Sequence, residues 1–302
     1  MRRGLGFKLD GLAKLLHSFV GYCETHDIEG LTVESAVAWA TSTIKTAGND
    51  GLYARRLDAV RLFARHQHAL DPTVEIPPDD LLDRRYRPHP PRLLTGDDVV
   101  AMMEAADGLT PRFKADTWRA VIGLLAVTGM RPGEVWRLEL HDVDLADGVV
   151  RIVMTKFNKS RIVFLHPSSS LALAEYRRVR DRWMAQRGKT DDAFFVNLAG
   201  RPFTAGGATS GTFRQILAAA GLTARPGLPA ARLHDLRHRF VVETMLGWYR
   251  DGGDVERRLP HLSTWLGHVD PASTYWYLHA VPELLERAAA RLEPAPAVAV
   301  AP

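Results

Sequence analysis

Apolar residues recur at helical spacing along most of the chain. Over residues 9–27, Leu9, Leu12, Leu16, Phe19, Val20 and Cys23 fall on one stripe. Thr32 reads as the N-cap of a second helix carrying Val33, Val37, Ala40 and Ile44. Ala47 to Gly51 (AGNDG) breaks the pattern. A third helix follows from about Leu52 to Ala69, with Tyr53, Leu57, Val60 and Ala64 on one face. Arg84 to Arg92 then places three prolines and four arginines in nine residues. No helix interior tolerates that, so the stretch reads as an extended linker.

Helical spacing restarts after Leu94-Thr-Gly-Asp-Asp98, a capping signature. Residues 113–128 predict a strongly apolar helix with Trp118, Val121, Ile122, Leu124, Leu125 and Val127, stopped at Thr128-Gly129. From Gly148 to Thr155 the period shortens to two, and Arg161 to Leu165 supplies a partner strand across a turn at Phe157 to Ser160. Further helices are predicted over 168–187, 209–221, 234–249, 258–267 and 282–292. The expected fold is mostly α with a small antiparallel β-sheet, an α+β architecture. Its parts are a helical domain over 1–83, a linker over 84–94, a second domain over 95–292 and a mobile tail over 293–302.

Composition narrows the class. With 46% hydrophobic and 25% charged residues in 302, a collagen-like, coiled-coil or wholly disordered chain is excluded. The single cysteine, Cys23, cannot form an internal disulfide or a cysteine-based zinc cluster, which suits a reducing cytoplasm. The longest apolar stretch, Ala120 to Met130, falls short of the roughly 20 residues a membrane span needs. The N-terminus, MRRGLGFKLDG, lacks the apolar region of a signal peptide. A net charge of +4 says little alone, but Arg151 to Arg187 holds nine basic and two acidic residues. A phosphate-rich partner and a solvated helix face both fit that segment.

Three motifs carry candidate chemistry. Thr128-Gly-Met-Arg131-Pro-Gly-Glu134 sets an arginine between two helices, with a carboxylate one turn on. His234-Asp-Leu-Arg237-His238 puts two imidazoles and a guanidinium on one helix face. That face suits phosphate better than zinc, because Arg237 would place a cation beside the metal. Leu266-Gly-His268 precedes Tyr275-Trp-Tyr277, with Tyr277 nine residues after His268. Taken singly, each has an ordinary reading as a surface arginine, a packed histidine or a core aromatic.

In this order and spacing, the motifs resemble those of the tyrosine recombinase (phage integrase) family. The likeness runs over essentially the whole chain. Within the family, the stretch LPHLSTWLGHVDPASTYWYLHAVPEL looks like integrases of transposon-type mobile elements. The resemblance implies a helical core-binding domain and a catalytic domain that clamp double-stranded DNA. It assigns Arg131 and Arg237 as phosphate-binding arginines, His234 and His268 as the active-site histidines, and Tyr277 as the nucleophile. Lys156 of the hairpin matches the general acid, with Lys159 as its competitor, and Glu134 supports the first arginine. His238 closes the pattern and is expected to be structural. Arg84, Arg85, Arg87, Arg92, Lys159 and Arg161 are expected to touch DNA.

The implied activity is site-specific recombination through a 3′-phosphotyrosyl link, with no metal and no cofactor. It would serve integration, excision or transposition of a mobile element. A homotetramer at synapsis is implied, with sister recombinases or accessory DNA-bending proteins as further candidate partners, and no membrane. The expected location is the cytoplasm, at the nucleoid. A catalytically silent DNA-binding protein on the same fold and a type IB topoisomerase are the rival readings.

Overall fold

The chain divides into two compact units, Met1–His89 and Pro90–Pro302. The computed structural model describes residues 9–42, 50–82, 92–153, 160–203, 207–268, 273–275, 277 and 284–286. Among these no helix is long and apolar enough to cross a membrane.

The first unit contains α1 (Asp10–Thr25), α2 (Val33–Thr41) and α3 (Asp50–His68). Thr32 caps α2 through a reciprocal pair. Its Oγ1 accepts from Ser35 N at 3.1 Å, and Ser35 Oγ accepts from Thr32 N at 3.1 Å. Serine here does what glutamate usually does in a capping box. Phe19, Trp39, Leu57 and Val60 form the core, with Phe19 and Trp39 edge to face at 5.4 Å. Val20 falls off the buried stripe and is half exposed. Asp50 and Gly51, read as part of a break, form the first turn of α3.

The second unit starts at α4 (Gly96–Asp107), capped by Thr95 and Asp98 as its sequence predicts. There follow α5 (Arg112–Thr128), α6 (Pro132–Val135), β1 (Val143–Asp144), β2 (Val149–Ile152), β3 (Arg161–Phe164), α7 (Pro167–Ala185), α8 (Gly207–Ala219), α9 (Leu233–Arg250) and α10 (Val255–Leu266). The strands make one antiparallel sheet in the order β1-β2-β3, with Val150 opposite Val163 and Ile152 opposite Arg161. Val150, Ile152 and Val163 face the core, while Arg151, Ile162 and Phe164 face out. The fold is mostly α with a small antiparallel sheet. β1 was not anticipated.

Helix α5 packs against α4, α7 and α9 and places Trp118, Ile122 and Leu125 at the centre of the core. A second cluster joins Val241 and Met245 of α9 to Leu259, Leu262 and Leu266 of α10. Tyr277 and Leu284 are buried in that same cluster, so the start of the expected last helix packs on its own domain. Several of the described arginines of the basic stretch pair within the chain. Arg180 donates to Ala193 O, Arg177 pairs with Asp181 at 2.7 Å, and Arg178 pairs with Glu175.

The end of the expected linker needs correction. Arg92 is 8% exposed, and its Nη1 donates to the carbonyls of Leu222, Thr223 and Pro229 at 3.0–3.3 Å. Leu94 is buried in the main core. Residues 92–94 therefore belong to the second unit. The Arg92 guanidinium is occupied by protein carbonyls, against the expectation of a DNA contact. Arg84, Arg85 and Arg87 lie outside the described residues.

Candidate active site

Two helix C-termini frame the site. α5 ends at Gly129 (φ 63°) and α10 at Gly267 (φ 66°), both left-handed caps. A helix end carries unpaired carbonyls and partial negative charge, which attract cations. Arg237 bridges the two ends, with Nη1 donating to Gly129 O at 2.8 Å and Nη2 to Leu266 O at 2.9 Å. Arg131 Nη2 donates to Gly267 O at 3.2 Å, and Trp265 Nε1 donates to Thr128 O at 2.9 Å. Glycine is required at 129 on two counts. The backbone is left-handed, and a Cβ there would lie 2.4 Å from Phe240 Cδ1.

Arg131 is the N-cap of α6, and Glu134 sits three residues on. Glu134 Oε2 accepts from Arg131 N and Oε1 from Arg131 Nη1, both at 2.9 Å. Arg161, at the start of β3, adds a two-pronged contact: Nη1 to Oε1 at 3.0 Å and Nη2 to Oε2 at 2.7 Å. Burial pushes the Glu134 carboxyl upward. The bonds and charge of Arg161, then of Arg131, outweigh it and hold the pKa at about 2. Arg131 keeps a side chain 34% exposed, whereas Arg237 is buried.

Helix α9 carries His234, Arg237 and His238 one turn apart. The rings of His234 and His238 meet edge to face at 4.9 Å. His238 Nδ1 lies 2.7 Å from Tyr277 Oη. Arg237 Nη2 donates to His268 Nε2 at 2.9 Å, and His268 Nδ1 lies 2.7 Å from Thr274 Oγ1. A neutral His268 with its proton on Nδ1 satisfies both contacts. In this state Nε2 is an acceptor and cannot donate to a phosphate.

Electrostatics agree. Burial, then the Arg237 and Arg131 charges, lower His234 to about 4 and His268 to about 4. Burial, then His234, lowers His238 to about 3. Burial raises the Tyr277 phenol to about 12 despite Arg237 and Arg131. Burial lowers Arg237 to about 9, still charged at neutral pH. The site is thus a set of neutral imidazoles and an intact phenol beside guanidiniums, an arrangement suited to an anion.

Comparison with known proteins decides what this arrangement belongs to. Residues 92–283 match the phage integrase family. The chain is 38% identical over 298 residues to y4rB of Sinorhizobium fredii, an integrase/recombinase by name, covering 97% of this chain and 94% of that one. The chain belongs to the phage integrase family, the tyrosine recombinases. It is also 32% identical to the tyrosine recombinase XerC of Lactobacillus leichmannii over 209 residues, covering 69% of this chain and 63% of XerC. Its fold is similar to that of the Tn1549 transposon integrase in complex with circular intermediate DNA (TM-score 0.58, 19% identity, 97% and 96% coverage). It is likewise similar to a lambda integrase dimer bound to a COC′ core site (TM-score 0.59, 16% identity, 92% and 91% coverage).

Of the positions that the tyrosine recombinase motifs single out, the structure brings together Arg131, Glu134, His234, Arg237, His268 and Tyr277. Lys156 and Lys159 lie outside the described residues. Arg161 corrects the expectation of a DNA contact, since its side chain is 8% exposed and engaged with Glu134 and with Trp265 O. His238, expected to be structural, contacts the Tyr277 hydroxyl. Its spacing of four from His234 was the signal for a shared face. Thr274 was not anticipated, and nothing in its sequence context marks it.

Proposed function

We propose that this protein cuts and rejoins duplex DNA at specific sites through a 3′-phosphotyrosyl intermediate, in the service of a mobile element. The observation that carries the reading is the Tyr277 hydroxyl held against α9, the helix that also delivers Arg237 to the two helix ends. Tyr277 Oη attacks the scissile phosphorus, the bond to the 5′-oxygen breaks, and the phosphate stays on the tyrosine. A 5′-hydroxyl from the partner strand then attacks that phosphorus and releases Tyr277. Phosphodiester bonds are conserved in number, so neither ATP nor a cofactor enters.

With the phenol at about 12, ionising it at pH 7 costs about 7 kcal/mol, against about 4 for an ordinary tyrosine. The proton therefore leaves as the new bond forms, and His238 Nδ1 is placed to take it. A bound phosphate raises the basicity of these histidines by its negative charge. Arg131 and Arg237 donate to the non-bridging oxygens, where charge gathers in the transition state. Arg237 does so by redirecting N–H groups now given to carbonyls. Lys156, or Lys159 in its place, protonates the departing 5′-oxygen. The two guanidiniums beside His234 oppose a dication there, which disfavours a zinc hydrolase.

Two duplexes cut on both strands require four protomers, so a homotetramer forms at synapsis, with room for sister recombinases or DNA-bending proteins. The protein acts in the cytoplasm on chromosomal DNA. The likeness to y4rB over nearly the whole chain, and in fold to a transposon integrase, supports the mobile-element role. The test uses nicked duplexes tiled over the DNA flanking the gene. An SDS-stable adduct that forms in EDTA and maps to Tyr277 is expected. A folded, DNA-binding protein that forms no adduct would support the silent DNA-binding reading. Relaxation of supercoils without strand exchange would support the topoisomerase reading. Circular copies of the flanking element, amplified across their junction, test the mobile-element role.

A further inference from the structure

Three guanidiniums surround the single carboxylate of Glu134, and only two have a part in the chemistry above. Arg161 is the third. Its side chain is 8% exposed, and Glu134 is 2% exposed. Besides the two-pronged contact with Glu134, Arg161 Nε donates to Trp265 O at 2.6 Å. One planar group thus joins the first residue of β3, the carboxylate of α6 and the last turn of α10. That turn leads through Leu266 and Gly267 to His268. A Cβ on Gly267 would lie 2.7 Å from Arg161 Nη1, so the guanidinium packs directly against the Leu-Gly-His segment.

We propose that Arg161 is a positioning residue for strand cleavage: it fixes the Glu134 carboxylate against Arg131 and fixes the end of α10 beneath His268. The proposal rests on the recombinase reading. Glu134 accepts four hydrogen bonds, two from Arg131 and two from Arg161. Without Arg161 the carboxylate keeps only the Arg131 pair and is free to turn, and Arg131 turns with it. A lysine cannot substitute. Its ammonium donates from one point and cannot meet both carboxylate oxygens and a carbonyl in three fixed directions.

A second consequence concerns pH. Arg131 from the start of α6, Arg161 from β3 and Arg237 from α9 are the charged groups facing Glu134, with the carbonyl end of α10 beside them. Burial favours the protonated acid, and Arg161 is the strongest influence against it. Removing Arg161 lets Glu134 take up a proton as the solution is acidified, and Arg131 then loses its anionic partner.

The experiment measures adduct formation on nicked duplex between pH 5 and 8 for wild type, Arg161→Lys, Arg161→Gln and the double variant Arg161→Gln/Glu134→Gln. Folding is checked by circular dichroism and duplex binding by gel shift. Arg161→Lys, which keeps the charge and the stem, is expected to fold, bind duplex and form adduct about tenfold more slowly or worse. The rate of Arg161→Gln relative to wild type is expected to fall as pH drops. Arg161 also helps to lower His268, so that titration moves in both variants lacking Arg161. The part of the slope carried by Glu134 is read as the difference between Arg161→Gln and the double variant, whose slope is expected to be clearly shallower. Wild-type rates in Arg161→Lys overturn the proposal. So does a deficit in Arg161→Gln that is flat across pH, which marks a purely structural role. If wild type itself forms no adduct, the recombinase reading fails and this proposal with it.

Discussion

Tyr277 Oη and His238 Nδ1 stand 2.7 Å apart across 39 residues of sequence. His238 follows Arg237 directly on α9, so one helix carries both the buried arginine and the imidazole that meets the Tyr277 hydroxyl. Three residues of that helix, His234, Arg237 and His238, share a face by their spacing.

Tyr277→Phe removes one oxygen and keeps the ring, so the fold is expected to survive and the covalent DNA adduct to disappear. Tyr275→Phe is expected to keep the adduct, because Tyr275 is 40% exposed where Tyr277 is 3%. Two residues along a helix turn a side chain by roughly 200°. His238→Gln is expected to slow adduct formation by about 100-fold, within the range for a lost general base. Mass spectrometry of the attached peptide reads the first pair, and single-turnover rates read the third. An adduct on Tyr275 would sink the assignment of the nucleophile.

Arg131→Ala and Arg237→Ala are expected to abolish cleavage while duplex binding persists, since binding is spread over many phosphates. They should differ in stability. Arg131 is partly exposed, and Arg161 still holds the Glu134 carboxylate when it is lost, so the smaller drop in melting temperature is expected there. Arg237 is 1% exposed and satisfies Gly129 O and Leu266 O. Its loss strands two carbonyls at about 1–3 kcal/mol each, so a clear drop is expected. Equal melting temperatures for the two variants would contradict the bridging role of Arg237.

Much of this was legible from local pattern. Thr32 and Thr95 announce their helices because a cap is a contact over three residues. Gly129 and Gly267 announce helix ends for the same reason. α6 and β1 span four and two residues, too short to show any period. Arg161 reads as a surface cation because its partners, Glu134 and the carbonyl of Trp265, lie 27 and 104 residues away. No local pattern marks an arginine that will bond a backbone carbonyl. The contact of His238 with Tyr277 is hidden likewise, its partner being 39 residues away. The recombinase motifs name the positions, and only the fold shows which contacts each one makes.

Gly129→Ala tests the framing of the site. The left-handed backbone costs an L-residue about 1–2 kcal/mol, and the 2.4 Å approach to Phe240 Cδ1 adds overpacking of about 1–3 kcal/mol. At roughly 2–4 °C per kcal/mol for a domain of this size, a fall of about 5–15 °C in melting temperature is expected. Adding Phe240→Ala to Gly129→Ala removes the clash and leaves the backbone strain. The double variant should be more stable than the sum of the two single losses predicts. Strict additivity would mean that Phe240 is not what glycine accommodates.

Acid should weaken the fold, and DNA should oppose the acid. His234, His238 and His268 sit at about 4, 3 and 4 against an ordinary 6.5. Between those values the unfolded chain binds protons that the folded chain refuses, so stability rises with pH and is lost as pH falls from about 6.5 toward 4. Glu134 acts in the same direction lower down, its contribution fading as pH falls from 4.5 toward 2. A phosphodiester placed among Arg131, Arg237 and these imidazoles supplies the anion that makes protonated histidine favourable. Binding of duplex is therefore expected to take up protons between pH 5 and 6.5. Titration calorimetry in buffers of different ionisation enthalpy measures that uptake directly. Zero uptake with wild-type protein, or uptake unchanged in a His234→Gln/His268→Gln variant, would show that the phosphate does not lie against these histidines.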